Sequence, residues 1–137
     1  MKACFIALSA ALLAAPALAQ GDAAVGEKDF KKCKSCHMIV ADDGTEIVKG
    51  GKTGPNLYGV IGRAAGSTDF KYGDSLKAAG EAGLVWDSET LVAYITDPKA
   101  FLQDRLGDSA AKSKMTFKLN KGQEDIAAYL ASVVPAQ

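Results

Sequence analysis

The sequence predicts an all-α domain of several short helices and Gly-rich loops, folded around something besides its own side chains. Three observations carry that expectation. Apolar residues recur at helical spacing in short windows, with capping residues before them and Gly or Pro after them. No run alternates convincingly as a strand would. Residues 39–69 hold seven glycines and Pro55, a long loop region that needs a partner to order it.

Taken in order, the first segment is an export signal. Lys2 precedes an apolar run from Ala3 to Leu18 that closes on Ala17-Leu18-Ala19. A basic start, a short apolar core and an A-x-A ending place the cut after Ala19. The run is near the short limit for a membrane span, Pro16 interrupts it, and no stop-transfer charges follow. Residues 20–137 then form one domain with one core.

Asp22 caps a helix expected to reach about Ser35, with Gly26, Phe30 and Cys33 on one face. Glycine inside a helix costs roughly 1 kcal/mol against alanine, so Gly26 marks a place where another helix crosses closely. The last helix, about Gln123 to Val134 and stopped by Pro135, supplies that partner through Ile126, Tyr129, Leu130 and Val133. Between them, a short helix runs from Asp74 to Ala79, closed by Gly80. A firmer one follows the N-cap Asp87, points Leu91, Tyr94 and Ile95 inward, and ends before Pro98. Pro98 opens another, which runs to Leu106 and stops at Gly107.

Composition excludes several classes. Sixteen Lys and Arg balance sixteen acids, which argues against a nucleic-acid binder. After removal of the signal only Cys33 and Cys36 remain, so no disulfide framework is available, and a bound cofactor is the natural staple for so small an exported domain.

Those two cysteines belong to "CKSCH", with His37 the only histidine in the chain. A structural zinc site needs four ligands, usually from two separated pairs, and the mature chain lacks the second pair. A thioredoxin-like dithiol sits at a helix start in a βαβ setting, which the pattern does not provide. Covalent haem attachment fits: cysteines three apart present both sulfurs to the two vinyl groups of a porphyrin, and the next residue offers a nitrogen to iron. C-x-x-C-H is the signature of that attachment. Met38 follows His37 too closely to reach the opposite face of the ring and is assigned to packing. Met1 leaves with the signal. Elimination therefore leaves Met115, in the polar stretch "KSKMTFKLN", as the sixth ligand.

At this point the sequence resembles the class I cytochromes c. "CKSCHMI", "KTGPNLYGVIGR", "FKYGDS", "LVW", "AYITDP" and "KMTFKL" stand in that family's order, and the stretches around 39–53 and 99–112 look most like the bacterial cytochrome c2 subfamily and its respiratory relatives. The resemblance covers nearly the whole mature chain. It implies that the Pro55 carbonyl accepts a bond from His37, and that Tyr94 points its hydroxyl at the ligand sulfur. It also implies that Arg63, Tyr72, Trp86 and Ser113 hold the haem propionates; the residues alone would make Arg63 a solvated surface charge. The chain departs from the family at Leu76, where many relatives carry a buried polar residue, and in a longer segment from Pro98 to Met115.

The function implied is a soluble, monomeric periplasmic carrier of single electrons, not an enzyme, with one haem c joined to Cys33 and Cys36. Its partners are a quinol-oxidising cytochrome complex as donor and a photosynthetic reaction centre or terminal oxidase as acceptor. Lys31, Lys32, Lys34, Lys49, Lys52, Lys99, Lys112, Lys114, Lys118 and Lys121 flank the ligand segments and would form a basic docking face. Two other classes compete. One is a haem sensor or peroxide-handling enzyme, which needs a labile sixth ligand; the other is a subunit of a larger complex, which needs an exposed apolar face.

Overall fold

The computed structural model describes residues 21–135, so the expected signal, residues 1–19, lies outside the described residues. Asp22 sits in extended backbone and accepts hydrogen bonds from the amides of Ala24 (2.8 Å) and Val25 (3.1 Å). Such a cap contributes about 1 kcal/mol to a helix start. Helix α1 spans Ala23–Asp29. The continuation expected to Ser35 is not α-helical: the chain tightens into a 3-10 turn at Phe30–Lys32 and then into further turns through Cys36. The reason is tertiary. The carbonyls of Lys34 and Cys36, which a helix ending at Ser35 would leave without intrahelical partners, are fixed by Gly51 N–H (2.9 Å) and Gly54 N–H (2.8 Å).

Helix α5, Gln123–Ser132, crosses α1 where the sequence indicated. A Cβ on Gly26 would lie 1.9 Å from the Asp125 carbonyl oxygen, so only glycine permits the approach. Asp125 Oδ1 also accepts from Asp22 N–H at 2.7 Å, and the Phe30 and Tyr129 rings meet at 5.6 Å.

The region read as loop contains a small antiparallel hairpin, a correction to the strand-free expectation. Strand β1, Ile39–Val40, pairs with β2, Glu46–Val48, matching Ile39 to Val48 and Val40 to Glu46. Strands of two and three residues are too short to show alternation, and a lone two-stranded hairpin is marginal without support.

Helix α2 runs Asp74–Glu81, past the glycine expected to end it. Gly80 is a packing residue there, since a Cβ would stand 1.9 Å from the Ala65 carbonyl oxygen. Helix α3, Ser88–Thr96, opens on a reciprocal capping box: Thr90 N–H donates to Asp87 Oδ1 (2.7 Å), and Asp87 N–H to Thr90 Oγ1 (2.9 Å). Helix α4, Pro98–Leu106, follows at once. Asp97 caps it and Gly107 ends it in the left-handed region at φ +60°. The core gathers Leu91, Tyr94 and Ile95 of α3, Leu102 of α4, and Ile126 and Leu130 of α5. Among the described residues no helix is long and apolar enough to cross a membrane. Among the described residues helices dominate and the all-α expectation holds, with the hairpin and an isolated Ala64–Val85 bridge added to it.

Candidate cofactor site around Cys33, Cys36 and His37

The turns after Phe30 set the spacing of the motif. Cys36 N–H donates to Cys33 O at 3.1 Å and His37 N–H to the same oxygen at 2.9 Å. Cys33 is half-buried and Cys36 exposed, with no disulfide between them. Burial pushes the Cys33 thiol up to about 11. Among the described residues no three His, Cys, Asp or Glu side chains gather as a metal cage, which leaves a zinc site without ligands.

His37 is half-buried, and burial holds its ring below the ordinary histidine value while the bond to Pro55 acts in the opposite direction. Its Nδ1 lies 2.8 Å from the Pro55 carbonyl oxygen. A carbonyl only accepts, so the proton belongs on Nδ1 and the lone pair on Nε2. That is the tautomer an iron ligand requires. The loop that brings Pro55 there is cut to fit. A Cβ on Gly54 would stand 2.4 Å from His37 Cε1, and one on Gly50 would stand 1.8 Å from the His37 carbonyl oxygen. Sequence reading took these glycines as turn formers; their clustering just after the motif was the available sign of close packing.

The other expected residues fall into two further groups. Arg63 is half-buried, not solvated, and donates to the carbonyls of Tyr58 (Nη1, 3.2 Å) and Asn56 (Nη2, 3.2 Å). Among the described residues no carboxylate pairs with it, and burial pulls its guanidinium below the ordinary value. An unpaired, partly desolvated cation is what a cofactor carboxylate would satisfy, so the residues present fit a haem propionate. Tyr72 is buried nearby, with its hydroxyl bonded to Thr68 Oγ1. Trp86 is buried too, tied to the same segment through Trp86 N–H to Arg63 O at 2.9 Å.

Trp86, Tyr94 and Phe101 form an aromatic cluster, with ring centroids 4.9 Å (Trp86–Tyr94) and 5.7 Å (Tyr94–Phe101) apart. Phe101 was not singled out from sequence, because it lies in the longer 98–115 segment. Burial raises the Tyr94 phenol, opposed by a hydrogen bond to Ser113. Ser113 Oγ in turn donates to the Met115 carbonyl at 2.8 Å. Ser113 thus stands close to both Tyr94 and Met115. Met115 is half-buried against the core. Ile39 takes the inward direction, and Met38, half-buried one position earlier in an extended segment, lines an open cleft of about 350 Å3 with Gly54, Asn56, Tyr58 and Arg63. His37 with Pro55, and Met115 with Ser113, make separate hydrogen-bonded pairs.

No family model matches the chain. Individual proteins do. The chain is 66% identical over 128 residues to cytochrome c-551 of Roseobacter denitrificans, covering 93% of this chain and 92% of that protein. It is 62% identical over 128 residues to cytochrome c2 of Rhodobacter capsulatus, covering 93% of each. The solved structure of cytochrome c2 from Rhodobacter capsulatus superposes with a TM-score of 0.83 at 62% identity, over 84% of this chain and 100% of that one. With the C-x-x-C-H turn, the His37–Pro55 bond and these relatives together, the chain belongs to the class I c-type cytochromes, haem-carrying electron-transfer proteins of the cytochrome c2, c-550 and c-551 group.

Proposed function

We propose that this chain is a soluble, monomeric carrier of single electrons in the periplasm, delivered there by a signal cut after Ala19, and not an enzyme. One haem c would be joined to Cys33 and Cys36 through thioether bonds, with His37 Nε2 and the Met115 sulfur as the protein ligands of its iron. The observation that carries this reading is the His37–Pro55 hydrogen bond at 2.8 Å, which holds the proton on Nδ1 and leaves Nε2 free one residue after the second cysteine.

Bound haem supplies the one-electron couple. The chain's own residues do the rest. Pro55 orients the imidazole and raises its donor strength. The Met115 thioether favours the ferrous state and so raises the potential. Arg63, half-buried and without a carboxylate partner among the described residues, would offer its charge to a propionate, with Tyr72 and Trp86 beside it. The Trp86, Tyr94 and Phe101 rings help wall off water. Two protein ligands leave no open coordination position, which suits electron transfer and not peroxide chemistry.

Electron carriers of this family exchange with membrane redox complexes. The donor assigned here is a quinol-oxidising cytochrome complex, and the acceptor a photosynthetic reaction centre or terminal oxidase. All ten lysines around the ligand segments are exposed, which supports a basic docking face. They are not equivalent. Lys118 holds Asp97 at 2.7 Å, Lys114 donates to the Lys71 carbonyl at 3.0 Å, and Lys32 lies 3.6 Å from Asp29.

Acid extraction and mass measurement test the reading. Denatured mature protein should retain its haem, with a mass equal to the chain from Gln20 plus one haem. The double variant Cys33→Ala, Cys36→Ala should yield extractable haem or no stable protein. Free extraction of haem from the parent would overturn the attachment.

A further inference from the structure

We infer that Asn56 is a positioning residue for His37, locking the edge of β1 to the Pro55–Tyr58 segment and thereby setting the strength of the His37–Pro55 hydrogen bond. The inference rests on His37 being an iron ligand, as proposed above. Donor and acceptor of that bond lie 18 residues apart, and neither stands in a helix. The strand that begins two residues after His37 is only two residues long, and its register is irregular between Ile39 and Val40. Such a strand does not hold itself in place.

Asn56 supplies the missing support. Its Nδ2 donates to Val40 O at 2.8 Å, and its Oδ1 accepts from Val40 N–H at 3.0 Å. The side-chain amide thus acts as a neighbouring strand along the edge of Val40. Two opposed bonds fix both distance and rotation, which one bond would not. Oδ1 also accepts from Tyr58 N–H at 3.1 Å, holding the amide against its own backbone. Leu57 N–H donates to Met38 O at 3.0 Å, extending the same pairing toward His37. Pro55 immediately precedes Asn56, so the clamp fixes the carbonyl that His37 uses. The Asn56 carbonyl accepts Arg63 Nη2 at 3.2 Å, which ties the cation to the same clamp.

No other side chain replaces this set. Aspartate keeps the two accepted bonds but cannot donate to Val40 O. Alanine removes all three. With the clamp gone the His37–Pro55 bond lengthens, the imidazole becomes a poorer donor, and ferric iron is less favoured. The potential should rise.

The test uses the reduced holoprotein and compares the parent with Asn56→Ala, Asn56→Asp and Leu102→Ala. Leu102 is a fully buried residue of α4, so its truncation controls for lost stability alone. NMR follows solvent exchange of the His37 Nδ1 proton, and redox titration gives the midpoint. Asn56→Ala should speed that exchange at least tenfold and move the oxidation equilibrium toward ferrous iron by up to about tenfold, ~59 mV for one electron. Asn56→Asp, read by exchange only because its charge perturbs the potential directly, should fall between parent and alanine. It serves alone if Asn56→Ala does not fold. Leu102→Ala should lower the unfolding midpoint and leave exchange within about twofold of the parent. Parent-like exchange in both Asn56 variants, or equal acceleration in Leu102→Ala, overturns the positioning role while leaving His37 as the ligand. A parent whose His37 ring signals lack haem-induced shifts sinks the ligand reading, and the positioning role with it.

Discussion

The His37 side and the Met115 side of the proposed iron site are built by different means. Around His37, backbone meets backbone: Gly51 to Lys34, Gly54 to Cys36 and Leu57 to Met38 zip the 50–57 loop onto the motif at 2.8–3.0 Å. Glycines at 50 and 54 leave no space for a Cβ between the two segments. Around Met115, no backbone–backbone hydrogen bond involves residues 112–118 among those described, until Leu119 N–H reaches Ile95 O at 2.9 Å. Side chains hold that stretch instead: Ser75 Oγ accepts from Lys112 N–H (3.0 Å), Ser113 bonds Met115, Lys114 reaches Lys71, and Lys118 pairs with Asp97. Side-chain contacts of this kind, most of them at the surface, add little to stability. One side is part of the fold itself, while the other can open without unfolding the rest.

Breaking each side should therefore give different losses. Gly54→Ala forces a Cβ into the His37 ring, and overpacking at such a site costs up to about 3 kcal/mol. Denaturant unfolding should show that loss together with poor haem retention. Ser113→Ala removes one bond to Met115, for about 1 kcal/mol or less globally. Its larger effect should be local, as faster displacement of the sixth ligand by added imidazole. If Ser113→Ala unfolds the protein as readily as Gly54→Ala, the contrast between the sides is wrong.

Smaller effects belong to the surface. Lys52→Glu should slow second-order electron transfer to a membrane partner with little spectral change. The loss should shrink as salt rises and the screening length falls from about 10 Å at 0.1 M to about 3 Å at 1 M. Lys118→Gln should slow it less, because that ammonium is already held by Asp97 at 2.7 Å. Stopped-flow rates indifferent to charge and salt would mean that these lysines only solvate the surface.

The same contrast explains what the sequence made legible. Asp22, Asp87, Pro98 and Gly107 act on neighbours within one turn, so their caps and stops could be read directly. Gly26 was legible because glycine at a helical position needs a reason, and the close approach of Asp125 is that reason. The C-x-x-C-H spacing, Pro55 and Tyr94 were readable as motif or resemblance. What stayed hidden depends on partners distant in sequence: the turns that replace the end of α1, the short hairpin, the half-burial of Arg63, and the Asn56 amide on Val40. Gly80 misled for the same reason. A glycine near a helix end signals a stop unless another backbone, here Ala65, lies against it.

The far-red absorption of the ferric protein tests the central claim, His37–Met115 ligation, most directly. A weak sulfur-to-iron band should be present in the parent, absent in Met115→Ala and unchanged in Met38→Ala. Loss of the thioether should also lower the midpoint potential by on the order of 100–300 mV, within the span open to axial-ligand changes. A Met115→Ala protein that keeps the band and the parent potential, while Met38→Ala loses both, would contradict the account.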